Sequence, residues 1–277
     1  MKKSVSKFIA VALSATLAFT CLVFCAACGN NSSSSNNSSQ SSSSQTSSSD
    51  GTYKLTTSGK LTVALSADYP PMEYLDGDTV KGFDADLMTE VAKRLGLTVE
   101  FKNQAFDTLV TSVSSGSNVD CAASSITVDS DRAKEIDFTD TYYDSNLAIV
   151  TLKDSGIKSR SDLTSAEIGA QSGTSGESWI QENLKDAKYT PYQETPDLLQ
   201  ALRTGKIKAA VYDEPVAQSH VNGEYNDCQI LETIATGEQY AIIVNKNNSA
   251  LTEAINKVLK EIQSDGTMQT LKNNAFK

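Results

Sequence analysis

The chain has 277 residues, 24 of them Lys or Arg and 34 Asp or Glu, for a formal charge of −10 at pH 7. An acidic balance of that size excludes nucleic acid and anionic membrane faces as partners held by charge. Outside the N-terminal leader, Cys121, Cys228 and the single histidine, His220, form no C-x-x-C pair, no metal-ligand cluster and no triad spacing. Neither a disulfide framework nor a metal is expected, and His220 reads as a surface or helix-end residue.

The leader carries Met1-Lys2-Lys3 and Lys7, an almost unbroken apolar run from Phe8 to Ala27, and a closing Ala26-Ala27-Cys28-Gly29. A basic start, an apolar stretch and small residues before a cysteine describe an export signal with a lipoprotein-type ending. Residues 1–27 are expected to be the signal peptide and Cys28 the lipidated first residue, although Cys25 stands where a branched aliphatic residue is usual. The competing reading is an uncleaved anchor, since about 18 apolar residues already span a bilayer. Residues 28–55 follow as a tether. From Asn31 to Ser49 every residue is Ser, Asn, Gln or Thr, which buries too little apolar surface to offset chain entropy. Both readings hold the folded part at the extracellular face of the cell membrane, or in the periplasm of a Gram-negative host.

Lys60 to Leu65 alternates apolar and polar residues and reads as a strand, ended by the breaker Asp68-Tyr69-Pro70-Pro71. A helix follows with Leu87, Met88, Val91, Ala92 and Leu95 on one face, Gly82 turning the chain before it, Asp84 capping it and Gly96 stopping it. Leu97 to Phe101 is the next strand, Phe106, Leu109, Val110 and Val113 line a second helix, and Val119 to Ala123 is a third strand. That order describes an α/β unit around a mostly parallel sheet.

The pattern repeats after Leu147 to Val150. Glu167 to Ala170 is a strand, Ser175 to Leu184 a helix, Tyr189 to Gln193 a strand, and Thr195-Pro196 opens a helix before the strand Ile207 to Tyr212. The tail has a strand at Tyr240 to Val244, a helix capped by Ser249 with Leu251, Ile255, Val258, Leu259 and Ile262 on one face, and a short helix after Gly266. It is too small for a domain of its own. If it returns to the first unit, the chain crosses twice between two α/β lobes, residues 56–148 plus 241–277 and residues 149–240, and the crossings form a hinge.

Open α/β sheets bind ligands beyond the carboxyl ends of their strands. The loops there read Ser66-Ala-Asp68-Tyr69-Pro-Pro-Met-Glu73, Ser124-Ser125-Ile-Thr127-Val-Asp-Ser-Asp-Arg132, Gln171-Ser172-Gly173-Thr174-Ser175-Gly176 and Tyr212-Asp213-Glu214-Pro215. Small hydroxyls, one arginine, an aromatic and an aspartate at a strand end suit a small zwitterion.

With Gly82-Phe-Asp-Ala-Asp86 and Asp137-Phe138, these signatures stand in an order and spacing that resembles the extracellular solute-binding proteins, family 3, of polar amino-acid ABC transporters, from about Lys60 to Phe276. The resemblance implies a type II periplasmic-binding-protein fold: two lobes, each a mixed sheet flanked by helices, joined by a two-strand hinge. It implies an amino-acid ligand whose α-carboxylate is forked by Arg132, aided by Thr127, Thr174 and Ser175 and by the N–H groups that Gly173 and Thr174 present at a helix start. Asp213 takes the α-ammonium with help from Ser125, Ser124 joins the lining, and Tyr69 and Phe106 wall the side chain.

Each assignment has a plainer reading: Arg132 as a solvated charge on a helix capped by Asp129, Asp213 as the start of the next helix, Tyr69 and Phe106 as core aromatics. Met72, where the family usually has an aromatic, is expected to soften a pocket wall, while Asp129 and Lys208 are expected outside the site. Asp68 and Glu73 favour a polar or cationic amino acid. The expected partners are an ABC permease and ATPase and, through the lipid, the membrane. No cofactor, metal, nucleic acid or catalytic residue is expected, and the chain reads as a monomer. The rivals are a cyclohexadienyl-dehydratase-like enzyme using Glu73 or Glu214 as acid or base, and a sensing receptor of the same fold, against which the lack of a second apolar span counts.

Overall fold

The computed structural model describes residues 53–277; the signal peptide, Cys28 and most of the tether lie outside the described residues. The described residues fall in one compact unit, and its three apolar cores are built entirely from these residues. No helix among the described residues is long and apolar enough to cross a membrane.

In the first sheet, β1 (Lys60–Leu65) lies between β5 (Thr98–Asn103) and β6 (Cys121–Ala122) and runs parallel to both. Next to β6 comes β13 (Ile243–Asn245), then β7 (Ile136–Phe138), both in antiparallel pairings. Although β1 alternates apolar and polar residues, every residue after Lys60 is buried, because a central parallel strand is covered on both faces. Thr62 donates its N–H to the Asp120 carboxylate at 2.7 Å.

In the second sheet, β9 (Glu167–Gln171) runs parallel to β10 (Lys188–Tyr192) and β11 (Ala209–Asp213), and β8 (Tyr143–Leu152) and β12 (Cys228–Tyr240) extend it antiparallel. A small sheet of β2 (Asp68–Tyr69), β3 (Glu73–Asp76) and β4 (Thr79–Lys81) projects from the first lobe. Most of β12 and this small sheet went unpredicted. β12 is largely polar and its ladder slips twice, so it shows no steady period, and β2 to β4 are too short to carry one.

Helices α1 (Phe83–Arg94), α2 (Leu109–Ser115), α6 (Ser249–Ser264) and α7 (Thr267–Ala275) pack on the first sheet or on one another; α3 (Ser175–Asn183), α4 (Thr195–Arg203) and α5 (Glu214–Asn222) pack on the second. Gly82, not Asp84, is the N-cap of α1. It holds φ at +111°, and a Cβ there would lie 2.3 Å from the Met72 carbonyl oxygen. Asp84 instead sits inside the helix and is fully buried. Met72 is also fully buried, within the apolar core, and is no pocket wall. Glu194 and Asn248 take the cap positions one residue before Thr195 and Ser249. His220 does end a helix but is buried between the rings of Tyr212 and Tyr225, and that burial pulls its pKa down to about 4. Cys121 and Cys228 are buried free thiols, one in each sheet.

The chain enters the second sheet at Tyr143 and leaves it at Tyr240, and these two residues are partners in the β8–β12 ladder. Their rings stack at 5.7 Å, Tyr143 stacks on Phe276 at 5.8 Å, and the Lys272 ammonium lies 4.6 Å from the Tyr143 ring centre. Both crossings therefore run side by side through an aromatic cluster.

Candidate functional site

The cleft lies where the carboxyl ends of β1, β6, β9 and β11 face one another. Of the residues singled out above, Tyr69, Phe106, Ser124, Ser125, Thr127 and Arg132 line it from the first lobe, and Thr174, Ser175 and Asp213 from the second; Asp68 and Glu73 also line it. Gly173 lies at an adjoining cavity and offers its carbonyl to Arg132. Glu214, Asp129 and Lys208 are not among the lining residues. No group of His, Cys, Asp and Glu among the described residues is arranged to hold a metal.

Arg132 follows an Asp129 turn, in which the aspartate accepts the Asp131 and Arg132 N–H groups at 2.7 and 3.0 Å. Its guanidinium donates to the Thr127 carbonyl at 2.8 Å and, across the cleft, to the Gly173 carbonyl at 2.7 Å. The Phe106 ring centre lies 5.6 Å from Cζ, so this aromatic faces the guanidinium as well as the cleft. Burial lowers the Arg132 pKa, opposed by Asp129, Asp213 and Glu238. Gly173 has φ +78°, and a Cβ there would lie 3.0 Å from the Asp107 Cα of the other lobe.

Asp213 ends β11. Its Oδ2 accepts the Tyr69 hydroxyl at 2.6 Å, and its N–H donates to the same hydroxyl oxygen at 3.0 Å. Oδ1 is buried with no hydrogen-bond partner. Burial raises the Asp213 pKa, and the Tyr69 bond opposes the rise. A buried, half-satisfied carboxylate is costly unless a donor meets it.

Asp68 binds across the lobes too. Its Oδ2 accepts from Gln171 Nε2 at 3.0 Å and from the Thr195 N–H at the start of α4 at 2.8 Å, while Oδ1 accepts the Ser66 hydroxyl at 2.9 Å. A carboxylate at a helix N-terminus satisfies an otherwise orphaned donor. Thr174 caps α3, accepting the Glu177 N–H at 3.3 Å and donating its hydroxyl to the Gln171 carbonyl at 2.7 Å. That hydroxyl proton is already committed, which leaves the free N–H groups of α3 at the cleft.

At the base, Glu73 accepts the Ser124 hydroxyl at 2.8 Å and the Ser125 hydroxyl at 3.3 Å. Asp84 Oδ2 accepts the Ser125 N–H at 2.7 Å and the Tyr142 hydroxyl at 2.9 Å, while Oδ1 is buried and unpartnered. Ser125 holds a left-handed φ of +50°, and Asp84 fixes it there. Burial raises both carboxyls, Asp84 to about 6 and Glu73 well above its ordinary value, with the facing Asp84 charge adding to the rise.

The sequence reading missed Glu238. Its Oε2 accepts the Ser175 hydroxyl at 3.2 Å and the Thr127 hydroxyl at 3.5 Å. Burial and Asp213 push its pKa up to about 7, with both hydroxyls and Arg132 opposing. No pattern in the β12 sequence points to that contact.

Two α/β lobes closing on a polar cleft at their strand ends make a ligand-capturing binding protein. The chain belongs to the bacterial extracellular solute-binding proteins, family 3, whose family model matches residues 61–277. It is 34% identical over 221 residues to the arginine-binding extracellular protein ArtP of Bacillus subtilis (strain 168), covering 78% of this chain and 86% of that protein. It is 27% identical over 226 residues to the L-cystine-binding protein TcyJ of Escherichia coli (strain K12), covering 80% and 85%. Among solved structures, an ancestral arginine-binding protein bound to arginine superposes with a TM-score of 0.74 at 36% identity, covering 79% of this chain and 99% of that one.

Proposed function

We propose that this protein captures an amino acid between its lobes, residues 56–148 plus 241–277 and residues 149–240, outside the cell, and delivers it to an ABC importer, held at the membrane by a lipid on Cys28. One observation carries the reading: a desolvated guanidinium, Arg132, and a buried carboxylate oxygen with no partner, Asp213 Oδ1, face the same cleft from opposite lobes. An α-amino acid offers both counter-charges at fixed separation, and closure is favoured when both are met.

The side-chain end favours a cationic or polar amino acid, because Asp68 and Glu73 line it without a basic residue beside them. The 34% identity to an arginine-binding protein agrees with that preference. An enzymatic role has less support: Glu214 does not line the cleft, and both oxygens of Glu73 accept serine hydroxyls.

The test is a melting panel on Ser49–Lys277, unfolded and refolded first to strip carried-over ligand. A ligand at about 100 times its dissociation constant stabilises by about 2.7 kcal/mol, or roughly 5–10 °C here. Arginine, lysine, histidine, glutamine or cystine should produce such a shift. Silence for every amino acid with a response to sugars or peptides rejects the proposal.

A further inference from the structure

Glu238 has no part in the recognition just proposed, yet it touches both lobes. It stands on β12 two residues before the Tyr240 crossing, where the ladder slips between Ile234 and Glu238 and resumes with Glu238 opposite Ser145. Thr127 comes from the loop after β6 in the first lobe, and Ser175 opens α3 in the second. One oxygen, Glu238 Oε2, accepts from both, more tightly from Ser175 at 3.2 Å than from Thr127 at 3.5 Å. We infer that Glu238 is an inter-lobe clasp, a hinge-borne carboxylate that stabilises the closed cleft by accepting one hydroxyl from each lobe.

The geometry gives the clasp its direction. The Thr127–Tyr240 bridge and the Val128 N–H bond to the Gln239 carbonyl hold Thr127 beside Glu238, so the Ser175 bond is the one that closure makes, and swinging the second lobe away breaks it. Each hydroxyl has a single proton to donate, so donation to Glu238 leaves Arg132 and backbone N–H groups to hold a ligand carboxylate. The clasp acts on affinity through the population of closed protein, which scales the apparent dissociation constant directly. This effect on affinity rests on the amino-acid reading; the effect on closure does not.

The test joins lobe separation to binding. Spin labels at Thr108→Cys and Gln181→Cys, exposed positions on the two lobes, report distance in ligand-free Ser49–Lys277, while Cys121 and Cys228 are buried away from the reagent. Glu238→Ala should move the distance distribution outward and weaken arginine and every other ligand that binds the parent about tenfold. Glu238→Gln, which keeps an acceptor oxygen, should restore most of both. Ser175→Ala, which removes the nearer donor without touching the hinge, should move the distances in the same direction. An unchanged distribution in Glu238→Ala and Ser175→Ala overturns the clasp. Tighter binding by Glu238→Ala overturns it as well, because it would make Glu238 a rival of the ligand carboxylate. If the parent binds no amino acid, the receptor proposal fails while the distances still decide the clasp.

Discussion

Tyr69 and Asp213 exchange hydrogen bonds across the cleft: the phenol donates to the carboxylate at 2.6 Å and its oxygen accepts the aspartate's own N–H at 3.0 Å. The aromatic read as a side-chain wall is thus also the group that holds the proposed ammonium-binding carboxylate. Tyr69→Phe leaves both partners buried without it, at a cost of about 1–3 kcal/mol. The expected result is a melting temperature lower by a few degrees without ligand and weaker binding of all ligands. Thermal scans and calorimetry check it; a variant that melts and binds like the parent refutes the coupling.

Arg132 and Asp213 are predicted to read the two α-groups and not the side chain. Truncating one partner of a buried charge pair costs about 2–5 kcal/mol, so Arg132→Met and Asp213→Asn should each weaken every amino-acid ligand about 30-fold or more. D-enantiomers and decarboxylated analogues should bind the parent far less well. Calorimetry giving either variant an affinity within about threefold of the parent contradicts the assignment.

The Glu73–Asp84 pair sets a pH dependence. Both folded pKa values lie above the ordinary carboxyl range because of burial. Their contribution to stability is therefore fully present below the unfolded value, about 4, and is lost as pH rises through the folded value, which is about 6 for Asp84. Asp265 runs the other way: its pKa is held at about 2, chiefly by Thr267, so its contribution is lost only at far lower pH. Denaturant titrations should show stability changing more favourably from pH 7 to pH 5 in the parent than in Glu73→Gln, a difference left in place by the opposing titration of His220, about 4 when folded, and by that of Glu238. The same pH dependence in both proteins excludes a raised Glu73–Asp84 pair.

Cys28→Ser should release the protein from the membrane fraction or stall its precursor. Mass spectrometry of the parent should find fatty acid on Cys28. A variant held as firmly as the parent, with no acyl group on either, would make the apolar leader the anchor.

Much of the cleft was legible because it is made of loops at strand ends. Arg132, Thr127, Ser175 and Asp213 come from three short polar segments whose neighbouring strands carry strong apolar patterns, and the sheets bring those segments together. Asp84 was misread because an acidic residue in the first turn of a helix looks like a cap, whereas its partners, the Ser125 N–H and the Tyr142 hydroxyl, lie 41 and 58 positions away. Met72 was misread because the turn that should have presented it folds it into the core. Glu238 left no trace, since its role depends on a slip in the β8–β12 ladder and on the approach of the two lobes, and neither has a local signature. His220 followed from helix position alone, which carries no information about the two tyrosines that enclose it.

The ring of Phe276 stacked on Tyr143 ties the last helix to the bending point of the molecule. A fluorescent protein or purification tag joined directly after Lys277 would pull on the pivot itself and alter how easily the lobes swing. Anyone turning this binding protein into an optical sensor should keep reporters away from Phe276 and place them within the lobes, where they ride the motion without loading it.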